Sequence, residues 1–379
     1  MVTERDKVQD EALAKALKYE RCGLGISMGV GKTLIGLKHM DENYSVLLKV
    51  LVVAPKVSIF QSWKDDAIKF NMEYLLDHIT FSTYLSLNKQ DLDYDIIYLD
   101  ECHSLLLTHK EYLGRYDGKI LGLTGTPPKR QGTEKAIMVS QYCPIVYTYG
   151  VSNATESKIL NDYRIIVHHL KLDAAKTIRK VRRDGKEYYT SEVNEYNYWT
   201  GRIENAISKK EKQICSIMRM KSLMGAPSKV AYTKKLMSSI EDKCIVFANT
   251  KEQADNICSY SYHSDNKESE DNLQLFKLGR INQLSCVLQL NEGVSIPNLR
   301  SGIIMHAYGN ERKSAQRIGR LLRLSQDDTA YAHVLCFIDT IDKFWVEKAL
   351  EDLDENKIIQ HNHVHEPLSE ALKRAGYES

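Results

Sequence analysis

The feature that most constrains the fold is an apolar run that ends abruptly in two adjacent carboxylates. Residues 95–99 (Asp-Ile-Ile-Tyr-Leu) lead into Asp100, Glu101, Cys102 and His103. Such a run is typical of a buried parallel strand, and the carboxyl edge of a parallel sheet is where open α/β folds bind ligands. One acid at that edge can hold Mg²⁺ and the other can orient water. For an isolated Asp-Glu pair an acidic turn after a strand is the better interpretation, so the choice depends on the rest of the chain.

The length and composition of the chain predict a globular protein of two domains. Its 379 residues exceed what one hydrophobic core usually supports, and 43% hydrophobic with 27% charged residues is typical of a folded chain. No apolar run is long enough to span a bilayer, and the first residues lack the apolar core of a signal peptide. The eight cysteines include no C-x-x-C pair, which favours reduced thiols over disulfides or a zinc site. We therefore expect a cytoplasmic protein with no membrane partner.

The positive charge of the chain is concentrated in one segment. The net charge is only +2, but residues 176–235 contain fifteen Lys or Arg against six Asp or Glu. A basic block in an otherwise balanced chain suits the neutralisation of phosphates with which nucleic-acid binding begins. A solvated, charge-rich helix face is the alternative interpretation, and it is common.

A second anchor lies in the first 40 residues, where a strand-like stretch at 23–27 is followed by a glycine-rich loop and a helix through Met40. The loop carries Gly29, Val30, Gly31, Lys32 and Thr33. Glycines let backbone N–H groups close on phosphate oxygens at a helix N-terminus, a lysine reaches the β- and γ-phosphates, and a threonine hydroxyl ligates the metal. The strict pattern G-x-x-x-x-G-K-[ST] is not met, because its first glycine falls at Ile26.

Residues 1–149 alternate short apolar runs with helical stretches, which is typical of βαβ units in a parallel sheet. Runs at 50–54 and 119–123 predict two more strands, and the second continues into Thr124, Gly125 and Thr126. Each predicted strand ends in polar, Gly or Pro residues, so several strand ends converge on one edge of the sheet. A phosphate loop, an acidic strand end and a polar strand end in this order predict a nucleotide-hydrolysing domain.

The chain restarts after residue 149 with a strand-like stretch at 163–172. The basic segment follows, and its Asp184-Gly185 pair predicts a hairpin turn between strand formers, with helical sequence beyond it. We expect an accessory insertion at about 175–235. A second α/β series begins at Lys243 and has no phosphate loop of its own.

A basic helical segment lies in the second series. The spacing of Gln316, Arg320 and Arg323 places them on one helix face. A basic helix against solvent is the simpler alternative. Paired arginines in a domain without a phosphate loop are better explained as arginine fingers for the nucleotide of the neighbouring domain.

With these residues in this order, the chain resembles a superfamily two helicase of the DExH type. It is most similar to compact phage-encoded DNA helicases of the branch-migration kind, and its phosphate loop is also similar to that of the Swi2/Snf2 double-strand translocases. The resemblance covers most of the two α/β segments and does not cover the basic block. It implies two tandem RecA-like parallel-sheet domains, residues 1–149 and 150–379, with an ATP cleft between them and the basic insertion in the second.

The resemblance also implies roles for the residues of the ATP site. Thr33 and Asp100 are implied to hold Mg²⁺, and Glu101 to be the base for the attacking water. The catalytic set is completed by Lys32, Gln316, Arg320 and Arg323. The ATP-binding loop comprises Gly29, Val30, Gly31, Lys32 and Thr33. Finally, His103, Thr124 and Thr126 are implied to couple the site to the other lobe and to strand contacts.

Further residues correspond to family elements that contact the adenine, the nucleotide or the polynucleotide. Gln9 lies where relatives place an adenine-reading glutamine, and an ordinary exposed helical glutamine is an equal alternative. Gly293 corresponds to a nucleotide contact. The implied nucleic-acid contacts lie at strand ends, whose N–H and hydroxyl groups suit phosphates; they are Pro55, Lys56, Thr83, Tyr84, Asn249 and Thr250.

Three alternating histidines, His361, His363 and His365, lie near the end of the sequence. No acidic or Cys partner stands at ligand spacing, so we expect a solvated tail segment rather than a metal site.

The expected function is an ATP- and Mg²⁺-dependent DNA helicase or translocase that unwinds or remodels DNA, including branched DNA, as a monomer. An RNA helicase shares every ATP motif, and a double-strand translocase without strand separation stays open. A nucleotide-gated clamp that never hydrolyses ATP needs neither Glu101 nor the arginines. A restriction-type translocase subunit is disfavoured, since the remaining sequence shows no carboxylate-lysine cluster of a nuclease.

Overall fold

The computed structural model describes residues 3–27, 29–128, 131–182, 184–287, 296–307, 328–351 and 353–377. These residues form two compact units; the main part of the first ends at Asp162 and the second begins at Tyr163. Each unit is built around its own α/β sheet, as expected. None of the helices in these ranges is both long and apolar enough to cross a bilayer.

The first unit contains six parallel strands with helices between them. The strands are β1 (Arg21–Ile26), β2 (Val50–Ala54), β3 (Ile79–Thr83), β4 (Ile96–Asp100), β5 (Lys119–Thr124) and β6 (Ile145–Tyr149). The helices are α1 (Glu4–Ala16), α2 (Lys32–Glu42), α3 (Ser58–Lys69), α4 (Lys110–Arg115), α5 (Glu134–Tyr142) and α6 (Val151–Glu156). The strands lie in the order β3-β2-β4-β5-β1-β6, and neighbouring strands are parallel.

The central strands of this sheet are apolar because both of its faces are covered. Every residue of β2 and of β4 is buried, and such strands have near-continuous apolar sequences. The strands predicted at 50–54, 95–99 and 119–123 are confirmed as β2, β4 and β5, and Asp100 is itself the last residue of β4. The acidic pair therefore stands at the carboxyl edge of the sheet.

The second unit contains a seven-stranded sheet and a separate hairpin. Its strands are β7 (Asp162–Leu170), β8 (Ile178–Val181), β9 (Glu187–Thr190), β10 (Cys244–Ala248), β11 (Ser261–Tyr262), β12 (Gln283–Val287), β13 (Ser301–Ile304), β14 (Thr329–Phe337) and β15 (Ile358–Asn362). Its helices are α7 (Glu192–Glu204), α8 (Lys209–Met224), α9 (Pro227–Ser238), α10 (Lys251–Ile257), α11 (Ser269–Lys277), α12 (Ile341–Leu350) and α13 (Leu368–Arg374). The sheet order is β11-β12-β10-β13-β14-β7-β15, and β8 pairs with β9 alone.

The basic segment separates into a peripheral part and a core part. The predicted hairpin is formed by β8 and β9, which are antiparallel, and α7 packs along α8. α9 buries Tyr232, Leu236 and Met237 in the main core of the second unit, and Leu223 near the end of α8 belongs to the same core. The expected end of the insertion at about residue 235 is therefore too late, because it includes Tyr232 of that core.

Glu192 joins the peripheral part to α9. Its carboxylate accepts hydrogen bonds from the backbone N–H of Ser228 at 2.8 Å and from the Ser228 hydroxyl at 2.7 Å. It also accepts from the backbone N–H of Asp173 at 2.9 Å. A carboxylate in this place satisfies an N–H group of the first helical turn and complements the helix dipole.

The strand β15 places His361 inside the second sheet. Because β15 pairs in parallel with β7, His361 lies beside His168, with 2.8 Å between their Nδ1 atoms. His168 Nε2 lies 3.0 Å from Nδ1 of His333, and all three rings are buried. The prediction of a solvated tail is therefore wrong for His361, whereas His363 and His365 are exposed. Within the described part of the chain, no group of three or more His, Cys, Asp or Glu is arranged to hold a metal ion.

Candidate active site

Three neighbouring strands of the first sheet end side by side and carry the predicted ATP-site residues. In the sheet, β5 lies between β4 and β1. Asp100 ends β4, Thr124 ends β5, and the loop with Gly29 and Gly31 follows β1. The carboxyl ends of parallel strands form the ligand-binding edge of an open α/β sheet. Residues that are far apart in the sequence therefore meet at one edge.

Two glycines shape the loop that precedes α2. Gly29 and Gly31 have φ angles of +87° and +106°, and Gly31 is the N-cap of α2. A Cβ atom on Gly31 would lie 2.5 Å from Nε2 of Gln9, so a larger residue there would displace the end of the Gln9 side chain. Lys32 and Thr33 are the first two residues of α2. The N-terminus of this helix presents N–H groups and a positive dipole to an anion.

Gln9, on α1, is buried against this loop. Its Nε2 donates a hydrogen bond to the carbonyl of Val30 at 2.8 Å, and the residue is 2% exposed. Its Oε1 has no hydrogen-bond partner among the residues that the structure describes. A buried amide oxygen of this kind is an acceptor for an amino group such as that of adenine. The alternative of an exposed helical glutamine is wrong, and the adenine contact stays a prediction.

Lys32 and Glu101 face each other at the edge of the sheet. Lys32 Nζ lies 3.9 Å from Glu101 Oε1, and the two side chains are 12% and 14% exposed. Glu101 has a left-handed backbone, with φ +50°. For a non-glycine residue this conformation costs roughly 1–3 kcal/mol, and such strain is concentrated at functional sites.

The three predicted coupling residues form a hydrogen-bonded cluster on the other side of Glu101. His103 Nδ1 lies 2.8 Å from Thr124 Oγ1 and 3.2 Å from Glu101 Oε2. The backbone N–H of Thr126 donates to Thr124 Oγ1 at 3.1 Å, and Thr126 Oγ1 lies 3.5 Å from His103 Nδ1. The structure thus brings His103, Thr124 and Thr126 together around the predicted base. Their coupling role stays a prediction.

The two carboxylates have opposite electrostatic environments. Burial, together with the neighbouring charge of Glu101, raises the pKa of Asp100. Burial also opposes the ionisation of Glu101, but Lys32 and His103 outweigh it and lower the pKa of Glu101. Glu101 is therefore ionised at neutral pH, and a cation near Asp100 would relieve the repulsion between the two acids.

Thr33 and Asp100 fit a magnesium site. In nucleotide sites Mg²⁺ usually takes one or two carboxylates together with waters and substrate phosphates. Asp100 supplies a buried carboxylate whose charged form needs a cation, and Thr33 supplies a hydroxyl in the first turn of α2. The donor chemistry of these two residues therefore suits the metal.

Asp100 has two partners that the sequence did not indicate. The indole N–H of Trp63, on α3, donates to Asp100 Oδ2 at 2.9 Å, and the Tyr84 hydroxyl donates to the Asp100 carbonyl at 3.0 Å. The prediction that Tyr84 contacts nucleic acid is wrong, because its ring is 6% exposed and packs in the core of the first unit. The helical spacing of Ile59, Trp63 and Ala67 indicates a buried face of α3, but not which polar group the indole meets.

The other predicted nucleic-acid residues lie at strand ends and differ in exposure. Directly after β2, Pro55 is half-buried and Lys56 is exposed, and Thr83 at the end of β3 is half-buried. In the second unit, Asn249 follows β10 and is buried. Neither polar atom of the Asn249 side chain has a hydrogen-bond partner within the described ranges. Thr250 is exposed, and its hydroxyl caps α10.

Four predicted nucleotide-site residues lie outside the described residues: Gly293, Gln316, Arg320 and Arg323. Their assignment stays a prediction from the sequence.

Two family models match the chain, one in each unit. Residues 4–129 match the model described as "Type III restriction enzyme, res subunit", which spans the phosphate loop and both carboxylates. Residues 228–325 match the model described as "Helicase conserved C-terminal domain", which begins within α9. The chain belongs to the superfamily two helicases. It is therefore an ATP-hydrolysing enzyme, as the resemblance implied.

The helicase has a relative in Sulfurisphaera tokodaii (strain DSM 16993 / JCM 10545 / NBRC 100140 / 7), the "DNA 3'-5' translocase XPB2". The two sequences are 26% identical over an alignment of 349 residues, and the alignment covers 83% of this chain and 77% of the relative.

Two solved structures share the fold of the helicase. The DNA-bound "ATP-dependent Type ISP restriction-modification enzyme LlaBIII" has a TM-score of 0.61 and 14% identity over 99% of this chain, but the match spans only 32% of that much longer chain. The helicase domain of Pyrococcus furiosus Hef has a TM-score of 0.50 and 16% identity, with 91% of this chain and 99% of Hef matched. The expected fold of tandem RecA-like domains is confirmed.

Proposed function

We propose that the helicase is an ATP- and Mg²⁺-dependent DNA helicase or translocase that unwinds or remodels DNA, including branched DNA. The observation that carries the proposal is the pairing of Lys32 with Glu101 beside a glycine-shaped helix N-terminus. His103 and Thr124 hold the same carboxylate from its other side. A protein that only binds nucleotide needs no ionised base in this place.

Hydrolysis follows from the positions of these groups. The N–H groups at the start of α2 bind the phosphates, and Lys32 neutralises charge on the transferring phosphoryl group. Glu101, kept ionised by Lys32 and His103, accepts a proton from the attacking water. Thr33 and Asp100 would hold Mg²⁺, which when bound supplies charge neutralisation at the β- and γ-phosphate oxygens.

The DExH sequence and the basic sequence around Arg320 complete the proposal. In this assignment Asp100 to His103 form the DExH box, and the cluster of His103, Thr124 and Thr126 relays loss of the γ-phosphate. On sequence grounds Arg320 and Arg323 act as arginine fingers, with Gln316 and Gly293 as further nucleotide contacts. An arginine finger can be worth roughly 10³ to 10⁵ in rate.

DNA is the proposed track. The relative from S. tokodaii is a DNA translocase by name, and LlaBIII is bound to DNA in its structure. In this chain, Pro55, Lys56 and Thr83 offer strand-end groups to a phosphate backbone, and Asn249 and Thr250 do so in the second unit. Contacts of this kind position a polynucleotide without reading its sequence.

The deciding experiment compares ATPase rates with single-stranded, duplex, forked and four-way DNA and with matched RNA at one salt concentration. We expect stimulation by DNA. Glu101→Gln should keep nucleotide binding and lower the rate by roughly 10² to 10⁴, since it removes the base. Lys32→Ala should lose both nucleotide binding and ATP hydrolysis, and Arg323→Ala should lose ATP hydrolysis. Lys15→Ala, an exposed site on α1, is the control. Survival of DNA-stimulated ATPase in all three site variants would show that the assignment is wrong.

Two related functions are separated by the same set of substrates. Stronger stimulation by RNA than by DNA would make the protein an RNA helicase, because the 2′-OH is the group that distinguishes the two tracks. ATP-driven displacement of a third strand from duplex DNA, without separation of forked strands, would make it a double-strand translocase. The similarity of the phosphate loop to Swi2/Snf2 proteins supports this second candidate.

The context of the helicase is also a proposal. Its composition supports a cytoplasmic protein, in the host cytoplasm if the chain is phage-encoded, and we propose that it acts as a monomer. Sedimentation with and without DNA tests the monomer, because a dimer would double the measured mass.

The peripheral part of the basic segment, from β8 to α8, is proposed to grip DNA. Residues 176–225 contain twelve Lys or Arg against six Asp or Glu. Some of these charges are neutralised locally, as in the ion pairs of Lys180 with Glu195 and Arg202 with Glu211. An exposed group of lysines begins α8; it comprises Lys209, Lys210 and Lys212.

A further inference from the structure

Asp100 is held by hydrogen bonds on its side chain and on its backbone. Trp63 donates to Oδ2 at 2.9 Å, and the backbone N–H of Glu101 donates to Oδ1 at 2.9 Å. Tyr84 donates to the carbonyl oxygen at 3.0 Å. Both carboxylate oxygens and the carbonyl are thus engaged, so the direction of this carboxylate depends on where Trp63 and Tyr84 lie.

The two side-chain donors come from the two segments of the first unit to which the proposed function assigns DNA. Trp63 is on α3, which begins two residues after Lys56. Tyr84 directly follows Thr83, the last residue of β3. Each of these two strand ends of the first unit is therefore followed by a side chain that contacts Asp100.

The Trp63 ring is wedged between α2 and β4. A Cβ atom on Gly36 would lie 2.6 Å from the far edge of the ring, and the ring packs edge-on against Tyr98 with 5.7 Å between centroids. Tyr98 lies two residues before Asp100 on β4. A close-packed ring of this size cannot rotate to absorb a shift of its helix, so movement of α3 against β4 moves the indole N–H.

We propose that Trp63 and Tyr84 are positioning residues that transmit DNA contact at Pro55, Lys56 and Thr83 to the carboxylate of Asp100. The inference rests on the proposed function, which gives no role to either Trp63 or Tyr84. When Trp63 is displaced, Oδ2 of Asp100 loses its hydrogen bond, and the orientation of the carboxylate towards Mg²⁺ changes. Partners of metal-binding carboxylates typically control metal affinity or activity by 10- to 100-fold.

A purely structural role for the two aromatic residues predicts something different. Packing needs only the volume of the rings, whereas transmission needs the indole N–H and the phenol O–H. Trp63→Phe and Tyr84→Phe keep an aromatic ring and remove these donors. Tyr142→Phe is a matched control, because Tyr142 is buried in the same core cluster and donates to the carbonyl of Lys110 at 3.1 Å, away from Asp100.

The experiment measures two quantities for each variant. The first is the Mg²⁺ concentration for half-maximal binding of a fluorescent ADP analogue, without DNA. The second is the ratio of ATPase rates with and without duplex or forked DNA. We expect Trp63→Phe to raise the Mg²⁺ requirement by about tenfold and to lower the ratio. We expect Tyr84→Phe to lower the ratio with a smaller effect on Mg²⁺, since it contacts the carbonyl rather than the carboxylate.

Thermal melting identifies any variant that fails to fold, and Tyr84→Phe, which removes one oxygen atom, carries the test if Trp63→Phe does not fold. Wild-type values of both quantities in both variants, as in Tyr142→Phe, would overturn the inference. Loss of stimulation in Tyr142→Phe as well would also overturn it, because the effect would then come from core packing. Failure of the proposed function has another signature, namely that wild-type protein shows no DNA-stimulated ATPase at all.

Discussion

Gly31 combines a left-handed backbone with close packing against the end of the Gln9 side chain. Its φ is +106°, and the added Cβ would meet Nε2 of Gln9. We predict that Gly31→Ala weakens binding of a fluorescent ADP analogue by about tenfold or more, because the loop must move away from the start of α2 or strain its backbone. A titration at fixed Mg²⁺ measures the effect.

Gly201 provides the matched control for that substitution. It lies inside α7, and beyond its two chain neighbours and the nearby backbone of α7 itself no atom of the described residues would lie within 4 Å of an added Cβ. Gly201→Ala should leave nucleotide binding unchanged and stabilise the protein by about 0.5–1 kcal/mol, the usual gain in a helix interior. Equal ADP affinity of Gly31→Ala and wild type would contradict the role given to the loop.

At the scale of secondary-structure elements, α9 depends on a carboxylate supplied by another helix. Glu192 is 4% exposed and accepts hydrogen bonds from Ser228 and Asp173. We predict that Glu192→Ala lowers the free energy of unfolding by about 2 kcal/mol, because buried N–H groups lose their acceptor. Chemical denaturation measures the change. Glu204→Ala, at an exposed site on the same helix, should change the free energy by less than about 0.5 kcal/mol.

The buried histidines of β7 and β14 make the second sheet sensitive to acid. Burial, reinforced by neighbouring histidines, lowers the pKa of His168 far below 6.5 and that of His333 to about 3. These rings stay neutral in the folded state, while the unfolded chain binds protons near pH 6.5. Stability is therefore complete above pH 6.5 and falls as the pH drops from there towards 3. Between pH 7.5 and 5.5 the two rings together should lower the free energy of unfolding by about 3 kcal/mol.

A substitution tests which ring carries this dependence. His333→Gln should reduce the loss of unfolding free energy between pH 7.5 and 5.5 by about 1.4 kcal/mol. The variant lacks one ring that binds a proton only in the unfolded chain. His365→Gln, at an exposed site, should leave the pH dependence unchanged. Denaturation curves at the two pH values measure both variants.

The elements that the sequence predicted correctly are those determined by neighbouring residues in the chain. A strand buried on both faces, such as β4, needs a continuous apolar run, and the turn between β8 and β9 needs an Asp-Gly pair. The errors concern long-range partners. α9 looks like a solvated basic helix, yet its Lys229 is fully buried with Nζ 2.6 Å from Oδ2 of Asp342 on α12. His361 looks solvated until β7 places His168 beside it.

The same distinction holds for the candidate active site. The loop from Gly29 to Thr33 and the pair Asp100-Glu101 were predicted because their chemistry is contained in short contiguous motifs. Trp63 and Tyr84 were not, because a hydrogen bond from a buried aromatic residue depends on the packing of α3 and β3 against β4. Nothing in the local sequence of either residue specifies that partner.

At the scale of the whole molecule, the charge of the peripheral segment should govern how DNA affinity depends on salt. We predict that a triple variant, with Lys209→Glu, Lys210→Glu and Lys212→Glu, weakens binding of branched DNA. The plot of log affinity against log salt should flatten by about 0.9 for each DNA phosphate that the protein no longer neutralises. ATPase activity without DNA should not change. Fluorescence anisotropy at several salt concentrations measures the slope.

A triple variant elsewhere controls for the change in net charge. The variant with Lys15→Glu, Lys18→Glu and Lys373→Glu makes the same change in net charge at exposed sites outside the basic segment. An equal loss of slope in both triple variants would show that net charge, and not the segment from β8 to α8, determines the salt dependence.

The indole of Trp63 also provides an intrinsic fluorescence signal at the predicted metal site. The chain has only three tryptophans, and this one touches the carboxylate expected to bind Mg²⁺. Its ultraviolet emission should therefore change when a magnesium nucleotide binds, and the change should be absent in Trp63→Phe. Stopped-flow mixing of the unlabelled protein could then time nucleotide capture and product release within a single turnover.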